Sequence, residues 1–261
     1  MPRGSGKTTI CRNTVKWGHL FGHVDFSLLV GAHQQKGDEA LEQITIDLET
    51  NELLLADFPE VCYPLAQIEG IHNRAKGQRL DGDPTNIKFG KRFLQLPTVD
   101  GSPASGSVIK TGGLLSAVRG ANHRMPDGSI SRPKVVLIDD PQTRESAESP
   151  DQSAKRVRIV MADVLGMAGP NSPLSLLVTC TVTAPGDAAD ELTDREKHPE
   201  LRGERTKLLL TFPENMELWE EYDDVRRLWL KEDEDALACP KQATSFYRKH
   251  RKAMDKGAKV S

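Results

Sequence analysis

The sequence predicts an α/β fold, a mostly parallel sheet flanked by helices, with a small helical linker or lid subdomain after it. Three observations carry this expectation. Short apolar, β-rich runs recur along the chain, helical stretches lie between them, and a glycine-rich turn heads one helix while a later apolar run ends in two carboxylates.

The elements follow in order. PRGSGKTT, Pro2 to Thr9, leads into a helix expected to begin at about Thr8. FSLLV, Phe26 to Val30, is the first apolar run, and the stretch from Asp38 to Asn51 puts Leu41, Ile44 and Leu48 on one helical stripe. Glycines, prolines and charges crowd Gly77 to Ser107, so a short hairpin and then a loop are expected there instead of a core element. SVI, Ser107 to Ile109, and VVLI, Val135 to Ile138, are further strands, separated by a second loop, Asn122 to Arg132. Ala147 to Leu165 is predicted as one helix, LSLLV (Leu174 to Val178) as a strand, and KLLLTF (Lys207 to Phe212) as the last strand of the same sheet. Beyond Met216 the chain is highly charged, with Trp219, Tyr222, Leu228 and Trp229 at near-helical spacing.

Composition bounds the function. The 261 residues, 37% hydrophobic and 28% charged, suffice for the core of one large α/β domain and an appendage. A net charge of -3 argues against a protein that coats nucleic acid over its whole surface, so DNA contact would come from local basic stretches. One such cluster is Arg74, Lys76, Arg79, Lys88, Lys91 and Arg92, although charge runs are more often solvated faces. Cys11, Cys62, Cys180 and Cys239 lie far apart, with no zinc spacing. His19 and His23 are four apart, but Gly22 interrupts them and no third ligand is near, so an exposed pair is expected in place of a metal site. No stretch reaches the roughly 20 apolar residues of a membrane span, and the N-terminus shows no leader pattern, which predicts a soluble, cytoplasmic protein.

The chemistry concentrates in three segments. Glycines in PRGSGKTT let the backbone curl so that its N–H groups point at phosphate oxygens, with Lys7 placed for the β and γ phosphates and Thr8 for a magnesium ion. The second segment, VVLIDDP (Val135 to Pro141), ends in Asp139 and Asp140 at the expected carboxyl edge of the sheet, where α/β folds place ligands. Asp139 is suited to hold magnesium and Asp140 to orient the water that attacks a γ phosphate. Together the two segments narrow the fold class to a P-loop nucleoside triphosphatase. In the third, LLVTCTVTAPGD, Thr179 and Thr181 could sense the γ phosphate, yet alternating threonines are also good strand formers. Arg3 and Arg119 are candidates to neutralise developing charge, Arg119 equally a surface arginine.

Taken in order, PRGSGKTT, SAVRGANHRMPDGSISRPKVVLIDDPQTRESAESP, LLVTCTVTAPGDAADEL and FYRKHRKAMDKGAKVS resemble the large terminase subunit of tailed phages, over nearly the whole chain. The resemblance implies an ATPase that hydrolyses ATP with Mg2+ to drive double-stranded DNA into a prohead, acting as a homo-oligomeric ring with the portal protein and a small terminase subunit. It implies that Pro2 to Thr9 form the Walker A loop, in which Arg3, Gly4, Ser5, Gly6, Lys7, Thr8 and Thr9 bind the nucleotide and Arg3 and Lys7 assist catalysis. Val135 to Asp140 would be the Walker B strand, and Thr179, Cys180 and Thr181 the coupling motif. The implied domains are 1–213, an ATPase domain, and 214–261, a helical linker.

Three departures from the family pattern add expectations. Asp140 stands where many members carry Glu, so the base is Asp140 or another acid such as Glu145. No nuclease domain follows the tail, so DNA cleavage is not expected. The motif's usual first glycine would fall at Met1, and the strand before the loop is expected to be missing, which would leave VVLID without a neighbour. The competing readings are a non-catalytic prophage remnant and another P-loop ATPase, such as a helicase or a DNA transposition ATPase.

Overall fold

The computed structural model describes residues 4–116, 121–124, 128–168, 173–228 and 238–260. They divide into two compact units, one within Arg3–Glu204 and one within Arg205–Ser261.

In the larger unit the elements run α1 (Lys7–Leu20), β1 (Phe26–Gly31), α2 (Gln34–Thr50), α3 (Glu52–Asp57), α4 (Pro59–Ala66), α5 (His72–Ala75), β2 (Arg79–Leu80), β3 (Asp83–Pro84), β4 (Lys88–Gly90), β5 (Phe93–Gln95) and β6 (Val108–Gly113). There follow β7 (His123–Arg124), β8 (Ile130–Ser131), β9 (Val135–Asp139), α6 (Arg144–Ala147), α7 (Pro150–Arg158), β10 (Ser175–Thr179) and α8 (Ala188–Leu192). The main sheet has six strands in the order β10-β9-β1-β6-β5-β4. The pairs β10–β9, β9–β1 and β1–β6 are parallel, and β6–β5 and β5–β4 are antiparallel.

The strand sequences dictate this burial. All six residues of β1 are buried, as a central parallel strand covered on both faces requires. Alternation then splits the core into two layers. Leu29, Ile109 and Leu137 face one way and pack with Val15 of α1 and with Leu41, Ile44 and Leu48 of α2. Leu28, Val30, Val136 and Ile138 face the other way, against Val157 of α7 and against Val160 and Val164 beyond it.

Several expectations are corrected by this architecture. The VVLID strand, β9, does not lack a neighbour: it pairs with β1 on one side and β10 on the other. FSLLVG takes the central place because it is apolar on both faces, and the parallel edge left open is that of β10, where Leu177 is 39% exposed. The 77–107 stretch is more than hairpin and loop. Leu94 and Leu96 are buried, and β5 joins the main sheet through β6, because its apolar residues complete the α1/α2 layer despite the polar turns around them. The single helix expected over Ala147 to Leu165 breaks before Pro150. Ser149 caps the new helix through the Gln152 N–H, and a proline at the first helical position starts a helix more readily than it continues one.

The smaller unit holds β11 (Leu209–Thr211), α9 (Glu217–Leu228), α10 (Ala238–Met254) and β12 (Lys259–Val260). KLLLTF therefore lies outside the main sheet. It pairs antiparallel with β12, and Leu208, Leu210 and Phe212 are exposed. The two helices meet through the rings of Trp219, Tyr222 and Tyr247, and the Trp219 indole N–H donates to the Met254 carbonyl at 2.8 Å. Trp229 lies outside the described residues. Among the described residues no helix is long and apolar enough to cross a membrane.

Candidate functional site

The site forms where the loop before α1 meets the carboxyl ends of β9 and β10. Gly4 and Gly6 have φ of 78° and 74°, a left-handed backbone that side chains with a Cβ rarely adopt, and their need is conformational, since nothing lies within 4 Å of a Cβ built on either. Gly6 occupies the N-cap position of α1 and brings no side chain to cap it. The first turn carries no acidic residue, so the partial positive end of a 14-residue helix is left open to an anion.

Parallel pairing puts Gly31, Asp139 and Thr179 side by side at one register level. There Asp139 accepts two hydroxyl hydrogen bonds, from Thr8 to Oδ2 at 2.7 Å and from Thr179 to Oδ1 at 2.8 Å. Beside them the buried Lys7 donates one of its three ammonium hydrogens to Thr181 Oγ1 at 2.9 Å. Residues 131 and 174 positions apart in sequence thus converge. Cys180 between the threonines is buried, and burial pushes its thiol up.

The turn after β9 is unusual. Asp140 is a non-glycine residue at φ 49°, and its N–H donates to the Thr179 carbonyl at 2.8 Å. The Arg156 guanidinium, 4% exposed, donates to the Pro141 carbonyl at 2.6 Å, and burial lowers its pKa from the usual arginine value. The Gln142 side chain donates to the Asp187 carboxylate at 2.8 Å and to the Thr181 carbonyl at 3.2 Å, and accepts from the Ala189 N–H at 3.3 Å. Burial would raise the Asp187 carboxyl, but the N–H groups of Ala184, Asp190 and Thr183 and the Gln142 amide outweigh it and hold it below the usual carboxylate range.

In front of these groups lies an open cleft of about 590 Å³, lined by Thr8, Arg12, Lys36, Asp139, Asp140 and Gln142 among others. That is ample for a nucleotide-sized ligand. Mg2+ fits the donors present. The Thr8 and Asp139 oxygens, 2.7 Å apart, are close to the about 2.9 Å edge of an octahedron with metal–oxygen bonds of about 2.05 Å. Among the described residues no three His, Cys, Asp or Glu side chains form a cage of their own, so a cation there would complete its shell with water and ligand oxygens.

Of the expected site residues, Lys7, Thr8, Asp139, Thr179 and Thr181 converge, and Asp140 borders the cleft. Gly4, Ser5, Gly6 and Thr9 are exposed in the loop and the first turn. Arg3 and Arg119 lie outside the described residues. Glu145 is exposed on α6 and is not among the groups lining the cleft. Three of the basic-cluster cations are engaged, Arg74 with Glu69, Arg79 with the Gly82 carbonyl and Arg92 with Asp38. The expected exposed histidine pair is corrected. His23 is exposed, but His19 is 1% exposed, with its ring nitrogens 3.0 Å from Ser107 Oγ and 2.8 Å from Ser27 Oγ, because the end of α1 turns that ring under the sheet.

Gln142, Asp187 and Arg156 escaped sequence reasoning. Asp187 carried a signal, since an Asp between a Pro-Gly turn and AADEL is an N-cap pattern. Gln142 and Arg156 carried none, because their partners are distant in sequence. Comparison with known proteins adds no relative: no family model matches the chain and no curated protein matches it.

Proposed function

We propose that this chain binds a nucleoside triphosphate with Mg2+ between the Lys7 loop and the end of β9, and hydrolyses it. More particularly, we read it as the ATPase engine of a phage DNA-packaging terminase large subunit, moving double-stranded DNA as one copy in a ring docked on a portal.

The observation that carries the first step is the 2.7 Å contact between Thr8 and Asp139, with Lys7 alongside and an uncapped helix end behind. A hydroxyl, a carboxylate and an ammonium at a helix N-terminus suit a magnesium–polyphosphate better than any neutral ligand. Bound there, the cation would neutralise phosphate charge and be held by Thr8 and Asp139. Lys7, whose ammonium reaches Thr181 Oγ1 at 2.9 Å, would turn to the β and γ phosphates when they are bound. Asp140, one residue beyond Asp139 and exposed to the cleft, orients and polarises the attacking water. Its left-handed backbone, at φ 49°, is a conformation of the sort found at working sites. The second step, to a packaging motor, rests on the order of sequence motifs and the resemblance they carry.

The test uses DNA-stimulated ATP hydrolysis and nucleotide-dependent thermal stabilisation. Lys7→Ala should lose both. Asp140→Asn should keep stabilisation, since Asn tolerates a left-handed backbone, and lose turnover by at least about 100-fold. Wild-type turnover in either variant sinks the assignment. Nucleotide binding by the wild type without turnover would indicate a remnant that keeps the site but not the reaction.

A further inference from the structure

The nucleotide reading leaves one fully hydrogen-bonded side chain at the cleft without a task. Gln142 is 8% exposed, and both of its amide hydrogens and its carbonyl oxygen are used, on Asp187, Thr181 and Ala189. The orientation of the amide follows, because a reversed amide would set its oxygen against the Asp187 carboxylate. Asp187 is 1% exposed, and its Oδ2 also takes the N–H groups of Thr183 at 2.6 Å and Ala184 at 2.9 Å, while Oδ1 takes that of Asp190 at 2.8 Å. One carboxylate therefore gathers the whole turn between β10 and α8, and one side chain ties that carboxylate to the turn that carries Asp140.

A chain of contacts runs on from the first residue of α1. Lys7 holds Thr181 Oγ1, the Thr181 carbonyl accepts from Gln142, and Gln142 holds Asp187 at the N-cap of α8. The same Asp140–Gln142 turn is gripped from the other side by Arg156 of α7, which itself packs on α8. The turn cannot shift without moving α8 or breaking buried hydrogen bonds, each of which costs about 1–3 kcal/mol if left unmade.

Resting on the nucleotide reading, we propose that Gln142 is the positioning residue that carries the state of the phosphate cleft to the 181–190 segment, with Asp187 receiving it. Although Gln142 borders the cleft, its amide hydrogens and oxygen are committed to Asp187, Thr181 and Ala189. It acts through Asp140, whose carboxylate it keeps aimed, and through α8, which it moves.

The experiment uses the full chain, Mg2+ and a non-hydrolysable ATP analogue, with amide hydrogen exchange over residues 181–192 and a separate thermal-shift measurement of binding. In the wild type the ligand should slow exchange at Thr183, Ala184 and Asp190 by at least about threefold. Gln142→Met, close in volume and without the donors, should bind the analogue within about threefold of wild type and lose that exchange response. Its kcat should fall at least about tenfold with KM within about threefold, the pattern of a misaimed group and not of a lost ligand contact. Gln142→Asn, one methylene shorter, keeps an amide but cannot span the contacts to both Asp187 and Thr181, and should lose the response as well; it decides the question if Gln142→Met does not fold. An exchange response that persists in Gln142→Met, or is absent from a wild type that binds, overturns the inference and leaves nucleotide binding standing. No thermal stabilisation of the wild type overturns the nucleotide reading, and the inference with it.

Discussion

His19 shows how one side chain can set a pH limit on the fold. Burial, only partly opposed by the charge of Asp25, pushes its pKa down to about 4 from 6.5, so the folded state holds it neutral between Ser27 and Ser107. The unfolded chain binds that proton from about pH 6.5 downward. Stability is therefore full above that point and falls as the pH drops towards 4, by about 3 kcal/mol in total. Denaturant unfolding between pH 7 and 4 checks this: His19→Gln should flatten that part of the profile, and an unchanged slope would refute it. The residue scale is also where the sequence was least legible. Lys7, Thr8 and Asp139 could be singled out by type and spacing, and they converge, whereas a histidine or glutamine shows its role only when its partners are known. His19 meets a serine 88 positions away, and Gln142 an aspartate 45 away.

Among the elements, the apolar runs were readable because a parallel sheet covered on both faces needs unbroken hydrophobic strands. Phe26–Gly31, Val108–Gly113, Val135–Asp139 and Ser175–Thr179 all formed where such runs stood. The α2 stripe of Leu41, Ile44 and Leu48 also forms as its spacing requires. The β4–β5 hairpin was missed as a sheet element because its strands are three residues each, too short for alternation to register. Leu94 provides the test at this scale. It is fully buried against β6, so Leu94→Ala should cost about 2–5 kcal/mol in chemical denaturation. Leu53→Ala, at a position 77% exposed, should stay within about 0.5 kcal/mol. Equal costs at the two positions would contradict the pairing of this hairpin with the sheet.

At the scale of the molecule, every group assigned to the cleft belongs to the unit Arg3–Glu204, which has its own two-layer core. A chain ending at Glu204 should therefore show the same thermal stabilisation by Mg2+ and nucleotide as is expected of the full chain; a shift present in the full chain and lost in a folded truncation would indicate that residues 205–261 contribute to binding. KLLLTF, by contrast, has the composition of a core strand and lies with β12 outside the main sheet, since composition does not say which partner a strand takes. By itself the sequence determined the α/β class, the main apolar strands and the residue types at the cleft, because periodicity and backbone-permissive glycines act locally along the chain. Strand order was decided only by tertiary structure: β1 enters between β6 and β9, β10 is left at the edge, and Asp139 comes between Thr8 and Thr179. The physical reason is that side-by-side pairing and buried hydrogen bonding are chosen among all segments at once, by which arrangement leaves the fewest apolar faces in water and the fewest polar groups unpaired.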